Sequence, residues 1–80
     1  MNDLSLVERC TSVDLASNRL REYVIEVGPT LTGELEVTTW RGRIGQKLRK
    51  RTTRFEDEVR GLEEVADIVH RRLSHGYLFI

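Results

Sequence analysis

The chain has 80 residues, with 13 Lys plus Arg balanced by 13 Asp plus Glu, so its formal net charge is zero. That length makes one small domain, which buries only about 60% of the surface its unfolded chain exposes. The hydrophobic fraction of 39% supports one thin core, the single cysteine excludes a disulfide framework and a cysteine-rich zinc site, and no apolar run approaches the roughly 18 residues of a spanning helix. The opening Met1-Asn2-Asp3-Leu4 shows no positive segment followed by a long apolar one, so the expected location is cytoplasmic.

The zero total hides a segregation of charge. Arg41, Arg43, Lys47, Arg49, Lys50, Arg51 and Arg54 fall in one stretch that contains no acidic residue. The stretch carries +7 and the remainder of the chain −7.

The first predicted element is a short edge strand over Leu4 to Cys10, with Leu4, Leu6 and Cys10 in one phase. Thr11 to Asn18 is rich in Ser, Thr, Asp and Asn, which bond to their own backbone and favour a turn. Leu20 to Val27 alternates as a strand, with Tyr23, Ile25 and Val27 on one face. Gly28-Pro29-Thr30 ends it, because Pro29 has no N–H to give a ladder. Glu34 to Arg41 is the next strand; Leu35, Val37, Thr39 and Arg41 share one phase, and Glu34, Glu36, Thr38 and Trp40 the other. Gly42 and Gly45 bracket a turn, and Gln46 to Phe55 returns as the second arm of a hairpin. Its charges lie on both faces, which predicts a twisted, partly projecting ribbon.

Leu62, Val65, Ala66, Val69 and Leu73 recur at three- and four-residue spacing and predict an amphipathic helix. Glu63, Glu64 and Asp67 precede Arg71 and Arg72, an order that suits the helix dipole. Gly76 stands where a helix stop belongs, and Tyr77-Leu78-Phe79-Ile80 is apolar enough to pack on the sheet or add a strand. The expected fold class is α+β: a twisted antiparallel sheet of about four to five strands with one helix on one face.

Catalytic constellations are weak. His70 and His75 are not at the i, i+4 spacing of a helical metal pair. Gly42-Arg43-Ile44-Gly45 lacks the Gly-Lys-Ser/Thr ending of a phosphate loop, and Glu56-Asp57-Glu58 reads as a solvated run before the helix. Cys10 reads as a buried thiol. No metal, no cofactor and no enzymatic activity is expected. The basic ribbon is the strongest functional signal, since arginine-rich strands can track phosphates and a bordering Trp40 can stack on a base or sugar. Internal pairing with the acidic remainder would leave the ribbon as a mere solubilising edge, and charge alone does not decide between the two.

At Trp40-Arg41-Gly42-Arg43-Ile44-Gly45-Gln46 the sequence resembles the WGR domain family, named for a Trp-Gly-Arg motif. The resemblance extends to Tyr23-Val24-Ile25-Glu26-Val27, to the loop Pro29-Thr30-Leu31-Thr32-Gly33-Glu34, to Phe55, to the helix with Ala66, and to Gly76-Tyr77, so residues 1–80 are expected to form a single WGR-like domain of the bacterial stand-alone type. The family also occurs in poly(ADP-ribose) polymerases and in molybdate-regulator-like proteins. In the polymerases the domain binds DNA ends, its motif tryptophan packs on a terminal sugar and its motif arginine makes polar contacts. The resemblance implies the same sheet-plus-helix fold and a non-catalytic module that binds DNA ends or nicks. Arg43 matches the motif arginine. An ungapped alignment puts Arg41 at the tryptophan position; one extra residue in a bulge would return Trp40 to it.

The candidate nucleic-acid-binding residues are therefore Trp40, Arg41, Arg43, Lys47, Arg49 and Arg51. The expected partner is nucleic acid, most simply DNA, or alternatively an acidic protein surface docked by an adaptor module. The expected state is a monomer, away from membranes.

Overall fold

The computed structural model describes residues 6–80. The chain runs through β1 (Leu6–Asp14), a short 3-10 turn (Leu15–Ser17), β2 (Arg19–Pro29), β3 (Leu35–Arg43), β4 (Arg49–Phe55), α1 (Glu58–Ser74) and β5 (Leu78–Phe79). The five strands form one antiparallel sheet in the order β4-β3-β2-β1-β5, with α1 on one face. This is the α+β arrangement that the sequence predicts.

The period-two pattern sets the faces. Four rungs of the helix-bearing face follow from the register: Pro29, Leu35 and Phe55; Val27, Val37 and Thr53; Ile25, Thr39 and Arg51; Tyr23, Arg41 and Arg49. Cys10, Tyr23, Ile25, Val27, Leu35 and Val37 from this face form the core with Val65 and Ile68 of α1 and with Tyr77. Along β3 and β4 the face therefore passes from apolar to arginine within two rungs.

Three expectations change. The first strand is longer than the predicted Leu4 to Cys10 and is not at the edge. Leu4 lies outside the described residues, and β1 pairs with β2 along its whole length and with β5 at Cys10 and Thr11. The predicted turn shrinks to residues 15–18 for the same reason: Ser12 is buried on the core face and the ladder continues to Asp14. Asp14 then accepts the Ala16 N–H, and Asn18 takes the left-handed conformation, as a short polar side chain can.

The third change concerns α1. Asp57 caps it by accepting the Val59 N–H at 2.9 Å, and Gly76 follows its end at φ 84°. The helix is rotated from the predicted stripe. Its buried residues are Gly61, Val65 and Ile68, while Leu62, Ala66 and Leu73 are exposed. Gly61 is the cause. A Cβ at this position would meet Leu35 Cδ2 at 2.5 Å and Leu35 Cβ at 3.3 Å. The missing side chain makes this the line of closest approach, and the helix settles with Gly61, Val65 and Ile68 toward the sheet.

Candidate nucleic-acid interface

The hairpin β3–β4 keeps an unbroken register from Leu35–Phe55 to Arg41–Arg49, and β3 pairs with β2 without a gap through Arg43. There is no bulge to turn Trp40 around. Trp40 stands opposite Val24 and Lys50 on the open face, whereas Arg41 and Arg43 stand on the helix-bearing face. The Lys50 ammonium lies 5.6 Å from the Trp40 ring centroid, a cation–π distance.

Arg41, Arg49 and Arg51 come together because they occupy neighbouring rungs on one face. The C-terminal half of α1 brings Arg71 and Arg72 to the same place. Between sheet and helix lies a cleft of about 500 Å³, lined by Arg41, Arg51, Arg71 and Arg72, by Tyr23, and by one carboxylate, Glu64. Glu64 pairs with Arg71 at 3.5 Å. Arg41, Arg49, Arg51 and Arg72 have no ion-pair partner among the described residues. A shallower depression lined by Tyr23, Arg41, Arg49, Lys50 and Arg51 continues toward the edge of the sheet.

Arg72 is held in an aromatic setting. Its guanidinium carbon lies 4.7 Å from the Tyr23 centroid and 5.3 Å from that of Tyr77, and the two rings meet edge to face at 6.4 Å. Its Nε is buried and bonds to no other described residue. Stacking on the rings fixes the plane of the guanidinium without neutralising it, so its charge is oriented in advance.

The remaining predicted residues sit apart. Arg43 donates from Nη1 to the Asn18 carbonyl at 3.3 Å and from Nη2 to Asn18 Oδ1 at 3.0 Å, beside Arg19 and Arg21. Lys47 is exposed on the loop between β3 and β4. Arg54, the last cation of the basic stretch, is on the open face and pairs with Glu36 at 3.0 Å. The sequence reading missed Arg71, Arg72 and Tyr23. The signal for Arg72 was its place on the Gly61–Val65–Ile68 line, a cation in an apolar phase. The neighbouring Leu62–Leu73 line, with more apolar residues at helical spacing, masks it in the sequence.

Among the described residues no group of three or more His, Cys, Asp and Glu side chains is placed to hold a metal ion, and no helix is long and apolar enough to cross a membrane. The fold and the cleft define a small sheet-and-helix module with a concentrated cationic surface. The chain belongs to the WGR domain family: the family model matches residues 8–79, nearly the whole chain. WGR domains are small binding modules that recognise nucleic acids. The chain matches no curated protein and no solved structure.

Proposed function

We propose that this WGR domain binds DNA ends or nicks, with the phosphate backbone seated at the arginine cleft between α1 and the β3–β4 hairpin. The single observation that carries this reading is the convergence of Arg41, Arg49, Arg51, Arg71 and Arg72 around one carboxylate. Internal pairing takes up only Arg71 of these five, with Glu64; the other pairs among the described residues involve Arg9 and Arg54. The preference for ends or nicks rests on the likeness to the family, and the preference for phosphate on the arginines.

The geometry gives the residues different parts. Arg41, Arg49 and Arg51 meet phosphates as bidentate donors. Arg72, stacked on Tyr23 and Tyr77, is the fixed charge at the back of the cleft. Arg43 and Lys47 flank the path at the hairpin turn. Trp40, on the other face, does not stack on a nucleotide seated at the cleft. Because the residues outside the basic stretch sum to −7, the rest of the surface is on balance negative and disfavours DNA. Binding is therefore confined to this face and strongly salt dependent. About four neutralised phosphates correspond to a loss of roughly 100-fold in affinity between about 50 and about 200 mM salt.

The test is a titration of labelled nicked, blunt and single-stranded DNA at those two salt concentrations. The expected result is tighter binding of the nicked and blunt forms, weakened by Arg41→Ala plus Arg51→Ala. Absence of binding at low salt, or binding indifferent to the double substitution, refutes the reading. A second reading is an adaptor that docks an acidic protein, and one observation favours it: β4 is an open sheet edge with exposed cations at Arg49, Lys50, Arg51 and Arg54. An acidic strand could pair along it. Partners captured from a lysate that survive nuclease treatment support the adaptor; partners lost with the nucleic acid support the first reading.

A further inference from the structure

The arginine cleft has two halves. Along the sheet its lining passes from Phe55, through the Val37–Thr53 rung, to Thr39 with Arg51 and then to Arg41. Phe55 and Arg51 are four residues apart on β4, about 13 Å of extended strand. On the facing wall Ile68 precedes Arg71 and Arg72. Val37 and Ile68 are buried and form the floor, whereas Arg41, Arg51 and Arg71 are exposed at the rim. A phosphate uses only the cationic half. The apolar half, with the Thr53 hydroxyl and the Glu64 carboxylate beside it, suits a flat, partly apolar group that carries donors and acceptors at its edge. Arg72 adds a stacking surface. Its guanidinium rests on Tyr23 at 4.7 Å and also lines the cleft. Guanidinium planes are surfaces on which unstacked bases settle.

We infer that the cleft seats one unpaired nucleotide at a DNA end, with its phosphate on Arg41 and Arg51 and its base over the apolar floor beside Arg72. Resting on the DNA reading above, this narrows the substrate to ends that carry an unpaired nucleotide or can fray to one. Size selects the single nucleotide: about 500 Å³ falls within the roughly 300–1,000 Å³ of small-ligand pockets and is far too small for a duplex. A base inside a duplex is stacked on both faces and paired at its edge, so it cannot reach the floor. A base that is already unpaired pays no such cost. Glu64 also gains a use. A carboxylate repels a bare phosphate, but it accepts a hydrogen bond from the exocyclic amino group of a base.

The test uses one labelled duplex in three forms: blunt, with a one-nucleotide overhang, and with the same overhang lacking its base. The overhang form binds at least about tenfold tighter than the blunt form, and removal of the base abolishes the gain. 2-Aminopurine at the overhang changes its fluorescence on binding, while 2-aminopurine inside the duplex does not. Arg72→Lys keeps the charge and removes the plane, so it brings the overhang form down to the affinity of the blunt one, with circular dichroism as the check on folding. The three-form comparison on the unaltered protein decides even if that variant unfolds. A free deoxynucleoside monophosphate at about 1 mM leaves the overhang complex intact, because it lacks the further phosphates that Arg49 and Lys50 meet. Displacement at that concentration would make the cleft a site for a free nucleotide and overturn the inference. Equal affinity for the three forms overturns it too and leaves the DNA reading standing, whereas no binding of any form removes both.

Discussion

Ile25 and Val24 are adjacent in β2 and point to opposite faces of the sheet. Ile25 is 1% exposed beneath α1, while Val24 is half-buried on a face that carries no helix. The charges divide the same way. On the open face Arg9 binds Glu22 at 2.7 Å, Arg54 binds Glu36 at 3.0 Å, and Lys50 rests on Trp40. On the helix-bearing face Arg41, Arg49, Arg51 and Arg72 meet no carboxylate among the described residues. An antiparallel sheet can have one face solvated if its polar groups are paired across strands. The open face does this. The helix-bearing face has used its pairing positions for the core, and four of its arginines stay unpaired among the described residues.

The largest effect that would test this contrast is Ile25→Ala. It should cost about 2–5 kcal/mol, a large part of the stability of a domain this size, while Val24→Ala costs about 1 kcal/mol or less. Urea titration of both variants makes the measurement. Equal losses would show that the faces are not distinct. Next in size, Arg41→Ala plus Arg51→Ala should weaken DNA binding at least tenfold and flatten the salt slope by about two, whereas Trp40→Ala changes it less than about threefold. Fluorescence anisotropy distinguishes the two, and a larger effect from Trp40 would move the interface to the open face.

Gly61→Ala tests the close approach of α1. Overpacking against Leu35 costs about 1–3 kcal/mol and helix propensity returns up to about 1 kcal/mol. The net is a loss of about 1 kcal/mol, or roughly 4–8 °C in Tm. A gain in Tm would mean that Leu35 yields freely. Cys10 gives a pH effect of known sign. Burial pushes its thiol up, against the weaker opposing influence of Arg72 and then Arg9. The native state therefore holds this proton more tightly than the unfolded chain. Its contribution is intact below the unfolded value near 9.0 and is lost as pH rises through the native one. Melting at pH 7 and at alkaline pH, with Cys10→Ala as the reference, checks the direction. The smallest effect is on the open face: Arg9→Gln should cost a few tenths of a kcal/mol to about 1 kcal/mol, since the pair is partly exposed. A large loss would show that this face is more than a solvated surface.

Much of the fold was legible because strand faces follow a period of two. The phases of Leu35–Arg41 and Arg49–Phe55 were readable residue by residue, and so was the grouping of Arg41, Arg49 and Arg51. Ser12 and Val13 were not, because a polar, turn-forming composition says nothing of whether a neighbouring strand extends the ladder. The site was half legible. Three of its arginines are on the ribbon, but Arg71 and Arg72 reach it from another element, and no spacing along the chain encodes that contact.

The face on which Trp40 stands follows from the unbroken register of β3. The sequence by itself determined the α+β class, the family, the basic ribbon and the opposite phases of Trp40 and Arg41, since all are local patterns of one strand or one helix. The tertiary structure decided that β3 has no bulge, because the bonds to β2 and β4 on either side leave no room for an extra residue. It also decided which of two apolar lines of α1 meets the sheet. Both lines have helical spacing, and only the fit of Gly61 against Leu35 selects between them.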